Sequence, residues 1–284
     1  MTVIGTNVAA LNAEMALTKN SRDLESAMEK LSTGKSINAA SDDAAGIAEI
    51  SRMSTEISGI GQAIKNANDG ISILTTTDSA TGSVTNMLQR MRELAIQAAN
   101  GTNASSDIQS LNTEYQQLYS EIQRVASTTE WNSSKLLDGT FSGGVSFFVG
   151  YSSNSNGTIS ASIPSFDPTA GATNSLVDGF SAISGSSISA GSNATDLLAK
   201  ISLAISGVNK VRSTLGATIN RLQFTVDNLT NMSTSIYASR SQIQDVDYSQ
   251  ATADLARGQI LQQAATAMLA QANQQPQLVL ALLK

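Results

Sequence analysis

Neither histidine nor cysteine occurs among the 284 residues, so imidazole general-base catalysis, thiolate chemistry, disulfides and the usual zinc sites have no side chains to carry them. Carboxylates, hydroxyls and guanidinium groups remain. Asp42 and Asp43 form an adjacent carboxylate pair, but they follow Ser41 at the head of an apolar-periodic stretch. There a serine caps orphan amides and acidic residues meet the positive end of the helix dipole, so capping by Ser41 is the expectation. Asp245 and Asp247 lack the surrounding acidic positions of an EF-hand loop and read as a helix start. Gly59 and Gly61 have neither the third glycine nor the preceding strand of a dinucleotide fingerprint. The many serines have no histidine to activate them. A protein without catalytic, cofactor or metal sites is therefore expected.

Two further patterns concern recognition. In LQRMRELAIQ, Arg90, Arg92 and Glu93 suit a solvated helix face with local ion pairs. Three Asn-x-Ser/Thr triplets, at Asn132, Asn156 and Asn193, formally match the glycosylation pattern, which is frequent by chance in a stretch rich in these residues.

Helices must position these groups. Seven apolar residues recur at intervals of seven, Ile201, Val208, Leu215, Leu222, Leu229, Ile236 and Ile243, which keeps one stripe on one face of a helix of more than forty residues. Leu17, Leu24 and Leu31 share that spacing before Gly34 offers a stop. A second apolar face runs from Ile47 to Leu94, and a third helix, with Ile108, Leu111, Tyr115, Leu118, Ile122 and Val125 on one side, is expected to end near Trp131. The three prolines, Pro164, Pro168 and Pro276, leave long stretches free of the strongest helix breaker. Between Gly139 and Thr195 more than half of the residues are Ser, Thr, Gly or Asn. Within that stretch VSFFVGY and GTISASI, separated by SSNSN, predict a hairpin over Val145–Tyr151 and Gly157–Ile163. The helical ladder is expected from after Thr195 to about Tyr237, with a last helix after SQIQDVDYS.

A formal charge of −6 without any basic run disfavours nucleic acid or anionic lipid as a partner. No apolar run of membrane-spanning length exists, and the opening MTVIGTNVAALNAEMALTKN does not read as a cleavable signal, so export by another route is expected. Both ends are amphipathic and nearly free of charge: no charged side chain precedes Glu14, and only Arg257 and Lys284 follow Asp254. Frayed termini are normally polar, so such ends are expected to be covered by something.

The residues also carry a resemblance. KLSTGKSINAASDDAAGIAEISRMSTEISGIGQAIKNANDGISILTTTDSA, from Lys30 to Ala80, and NMLQRMRELAIQAANGT, from Asn86 to Thr102, resemble the N-terminal part of bacterial flagellin. VRSTLGATINRLQFTVDNL, from Val211 to Leu229, and the ending from Ser241 resemble its C-terminal part. The resemblance implies a mainly α fold: an elongated bundle of long antiparallel helices with coiled-coil-like packing, a small β-hairpin, and terminal helices paired as a second, filament-core domain. It implies an N-terminal D0 helix and connecting loop over 1–40, D1 helices over 41–140, a hairpin and short variable region over 141–195, a C-terminal D1 helix over 196–240 and a C-terminal D0 helix over 241–284.

By the same resemblance the function is that of a secreted structural subunit, a homo-oligomer polymerised into the flagellar filament. It would be handled by an export chaperone, a filament cap and junction proteins, without nucleic acid or membrane insertion. The D0 polymerisation core would comprise Leu11, Leu17, Leu24, Leu31, Ile260, Leu261, Met268, Leu269, Val279, Leu280, Leu282 and Leu283, and the ladder from Ile201 to Ile243 would be the packing spine of D1. Gln89, Arg90, Glu93, Leu94 and Glu114 occupy the positions of a protofilament contact that the Toll-like flagellin receptor of animals also reads. Val279 to Leu283 resemble the part sensed by cytosolic inflammasome receptors. Ser36 and Gln242 stand where basic residues are common, and Ala265 where glycine is, which puts the polar contacts of the loop at Ser36 in question. A related structural reading is a hook–filament junction protein, and a reading of a different class is a secreted helical protein whose main activity is receptor binding or adhesion.

Overall fold

A computed structural model of the chain describes residues 6–151, 157–166, 180, 183, 185–188 and 192–282, with backbone only for Ser192 and 275–282. Among the described residues there are five helices: α1 (Val8–Thr33), α2 (Ala44–Ala98), α3 (Ser105–Thr128), α4 (Ser192–Gln244) and α5 (Tyr248–Leu282). Four short strands accompany them: β1 (Glu130–Trp131), β2 (Ser134–Lys135), β3 (Val145–Phe148) and β4 (Thr158–Ala161). The chain divides into two compact units, one of Met1–Ile57 with Thr234–Lys284, the other of Ser58–Ser233.

In the unit of Ser58–Ser233, one core gathers Leu74, Leu88, Met91 and Leu94 of α2, Tyr115 and Ile122 of α3, and Ile201, Val208, Leu215 and Leu222 of α4. The first five rungs of the ladder, Ile201 to Leu229, thus find their cover within this unit. At roughly 1.5–3 kcal/mol for each fully buried aliphatic side chain, this seam is the main source of the unit's cohesion. Buried threonines on α2 do not break it. The hydroxyls of Thr77, Thr81 and Thr85 donate to the carbonyls of Ile73, Asp78 and Thr81, each at 2.9 Å. Asp78 also holds Arg212 of α4, whose Nε lies 2.9 Å from its carboxylate.

α3 opens where the Asp107 carboxylate turns back to accept the Ala104 N–H at 3.2 Å. It ends at Thr128, short of the expected Trp131, because Glu130–Trp131 pairs antiparallel with Ser134–Lys135. Asn132 (φ 46°) and Ser133 (φ 64°) make the turn, the mirror-image geometry that suits two-residue hairpins. The second hairpin is present as expected, with Val145 opposite Ala161 and Phe148 opposite Thr158. Its connecting segment, 152–156, lies outside the described residues, as does most of the Ser- and Gly-rich stretch that follows Phe166. The Phe147 ring rests on α2 at Gly70, where an added Cβ would stand 2.9 Å from Cδ1.

In the unit of Met1–Ile57 and Thr234–Lys284, α1 ends at Gly34, which takes the left-handed conformation (φ 71°) and donates its N–H to the Lys30 carbonyl at 2.9 Å. Ser36 N–H then donates to the Gln244 carbonyl at 2.6 Å, and Val246 N–H to the Gly34 carbonyl at 3.1 Å. At position 36 the contact to Gln244 runs through the backbone N–H. The cap of α2 is Asp43 rather than Ser41: its Oδ1 accepts the N–H groups of Ala45 and Gly46, both at 3.0 Å. Asp42 instead accepts the N–H groups of Ala39 and Asn38, and these bonds hold its carboxyl below the ordinary value. α4 continues past Tyr237 to Gln244, and Asp247 caps α5 by accepting the Ser249 N–H at 2.9 Å.

Candidate assembly surfaces

Arg90 lies at the centre of a small charged group on the α2–α3 face. Its Nε donates to Glu114 at 2.8 Å and its Nη1 to Glu93 at 3.0 Å. Those bonds, Glu114 first and Glu93 second, raise the guanidinium's already high pKa further. Gln89 and Glu93 are exposed beside it. The fixed fork of the guanidinium leaves a planar, half-exposed group presented by two helices at once, suited to reading by a polar partner. Leu94 does not belong to this surface. It is 1% exposed and packs in the core with Leu88 and Met91, because it falls three residues after Met91 and six after Leu88, on the inward stripe.

Five rungs of the α4 ladder, Ile201 to Leu229, are buried in the unit of Ser58–Ser233. Ile236 and Ile243 belong to the other unit and are half-buried there. Sequence reasoning passed over the opposite face of α4, where Phe224 is 74% and Leu203 64% exposed. Both lie off the seven-residue period, and that mismatch was the available signal. Phe224, Ala217 and Leu229, with Asn220, Arg221 and Asn228, line a shallow groove there.

α1 and α5 pack against each other. The Asn20 amide donates to the Gly258 carbonyl at 2.9 Å and the Asn7 amide to the Ala272 carbonyl at 2.8 Å, while Leu24 approaches Gly258. Of the residues expected in a terminal core, Leu17, Leu24, Leu31 and Leu269 are half-buried, whereas Leu11, Ile260, Leu261 and Met268 are exposed, together with Val8 and Met15. The helix pair alone does not cover these exposed side chains. The side chains of Val279, Leu280 and Leu282, and all of Leu283, lie outside the described residues.

Long helices from both halves of the chain and apolar side chains turned outward define a mainly helical protein with uncovered apolar faces. The comparisons with known proteins agree. Residues 4–142 match the family model of the bacterial flagellin N-terminal helical region, and residues 198–283 that of the C-terminal helical region. Among similar proteins, a flagellin of Halalkalibacterium halodurans is 42% identical over 282 residues, covering 99% of this chain and all of that protein. A flagellin of Listeria monocytogenes is 35% identical, covering 97% of each. The chain belongs to the bacterial flagellin family. A solved structure of a putative flagellar hook-associated protein from Vibrio parahaemolyticus matches with a TM-score of 0.60, covering 72% of this chain and all of that one, at 16% identity. That likeness concerns the fold alone.

Proposed function

We propose that this chain is the structural subunit of a bacterial flagellar filament, exported and polymerised head to tail. The observation that carries the reading is the terminal helix pair, with Leu11, Met15, Ile260 and Met268 left on its outer faces, in a chain related to flagellins along almost its whole length. Contacts of that kind that do not close on themselves generate a helical polymer. The helices over 41–140 and 196–240 serve as the D1 body, and the paired ends, 1–40 and 241–284, as the D0 filament core. Export chaperone, cap and junction proteins are the expected partners of the ends. The Arg90–Glu93–Glu114 group is a contact between neighbouring subunits and the position a Toll-like receptor reads. A role at the hook–filament junction is the less favoured reading, since the two named relatives that match along nearly their whole length are flagellins.

Seeded polymerisation tests the proposal. Purified chain added to filament seeds should elongate them in electron micrographs, and a chain lacking Gln259–Lys284 should not, while retaining the helical content of Ser58–Ser233. Filaments of ordinary length from the truncated chain would remove the role given to the terminal helix.

A further inference from the structure

All of the protein's sulfur is thioether. With eight methionines and no cysteine, no thiolate stands ready to consume a peroxide ahead of them. Their surroundings differ sharply. Met91 is 0% exposed in the core of Ser58–Ser233, and Met53, Met87 and Met232 are partly covered. Met15, Met28 and Met268 are 62%, 46% and 66% exposed, and all three belong to α1 or α5.

Two of these three sit in apolar stripes. Val8, Leu11 and Met15 follow one another at steps of three and four along α1, and Leu261, Ala264 and Met268 do so along α5. Every one of those six residues is exposed, so each methionine closes an open apolar run on one helix face. Met28 does not share that face. About 3.6 turns separate it from Met15, which puts it on nearly the opposite side of α1.

A thioether on such a stripe is apolar, polarisable and easily covered. Its oxide is polar. The sulfur lone pair attacks one oxygen of a peroxide, the O–O bond breaks, and the other oxygen leaves as water after a proton shift. Sulfur gives up two electrons and the peroxide takes them. The new oxygen is a hydrogen-bond acceptor, and neither Leu11 nor Ala264, one turn before, has a side-chain donor for it. Covering that oxygen with an apolar surface strips it of water, a cost the thioether does not carry.

We propose that Met15 and Met268 are peroxide-reactive modification sites whose oxidation to the sulfoxide closes both outer stripes to apolar contact. The assignment of the sites stands on the lone chain. Its consequence, a reversible redox block on adding the chain to a filament, rests on the filament reading.

Dilute hydrogen peroxide on the full-length, unassembled chain, followed by peptide mapping in the mass spectrometer, tests the sites. Met15 and Met268 should each gain one oxygen at least about tenfold faster than Met91. The oxidised chain should leave a hydrophobic-interaction column earlier and elongate seeds about tenfold more slowly, and methionine sulfoxide reductases of both epimer classes should restore both properties. The double variant Met15→Leu, Met268→Leu should behave alike before and after peroxide, whereas Met28→Leu should stay as sensitive as the parent. Oxidation of Met91 as fast as Met15 and Met268 would overturn the site assignment. Unchanged retention once both are oxidised, or a double variant as sensitive as the parent, would overturn the closing of the stripes, and unchanged elongation would overturn the block. An unoxidised parent that never elongates seeds would reject the filament reading, while mapping and retention still decide the sites.

Discussion

Tyr115 is expected to cost the protein stability through its hydroxyl. The residue has no exposed surface, and its hydroxyl has no hydrogen-bond partner among the described residues. A buried, unsatisfied hydroxyl costs about 1–3 kcal/mol, and its removal opens a space of a single atom. Tyr115→Phe should therefore stabilise the unit of Ser58–Ser233 by about 1 kcal/mol, or roughly 2–4 °C in Tm for a unit of this size. A pH series adds an independent arm. Burial, helped by the neighbouring Tyr119, pushes the Tyr115 hydroxyl well above its ordinary value of 10.0. As pH rises through that ordinary value the unfolded chain releases the proton while the folded chain keeps it. The folded state then binds more protons, and stability falls by up to about 1.4 kcal/mol per pH unit. The Phe variant lacks this component, so its advantage should widen between about pH 9 and about pH 11. Urea unfolding followed by far-UV circular dichroism measures both effects. A variant less stable than the parent at neutral pH, or an advantage that stays constant with pH, would refute the reasoning.

Other substitutions separate packing from surface roles. Gly70→Ala should destabilise by about 1–2 kcal/mol in urea unfolding, because displacing the Phe147 ring outweighs the gain in helix propensity. Leu94→Ala should cost about 2–5 kcal/mol as a core truncation, whereas Arg90→Ala should leave thermal unfolding nearly unchanged and lower receptor activation in a reporter-cell assay. Equal activation by the Arg90→Ala chain would dismiss the receptor contact. Asp43→Ala should lose about 1 kcal/mol as the cap of α2 is removed, and Ser41→Ala close to nothing; the reverse order in thermal unfolding would return the cap to Ser41.

The α4 ladder was legible because a period of seven marks one helical face whatever covers it, and Ile201, Val208, Leu215 and Leu222 indeed enter a single core. The same logic placed Leu94 on an apolar face, and the resemblance then assigned it to a surface: resemblance follows sequence position, whereas the side chain's direction depends on which stripe the helix turns inward. Capping was foreseen at the right point of the chain but assigned to the wrong side chain, since Ser41 and Asp43 both carry suitable oxygens and only the backbone path selects between them. The β1–β2 hairpin escaped notice because two-residue strands have no periodicity, leaving Asn132-Ser133 as its one cue. At the ends, apolar pattern identified helices with a face to cover. It did not reveal that Asn20 and Gly258 occupy the seam while Met15 and Met268 look outward, because a repeat identifies a stripe and not its neighbour.

The bonds from Asn7 to Ala272 and from Asn20 to Gly258 join residues 265 and 238 positions apart. Neither can form until nearly all of the described chain has been delivered, whereas α2 and α3 have local partners much earlier. Folding is thereby ordered in time, with the most distant closure last. A chain cut short anywhere before α5 keeps part of a body but has nothing to pair with α1.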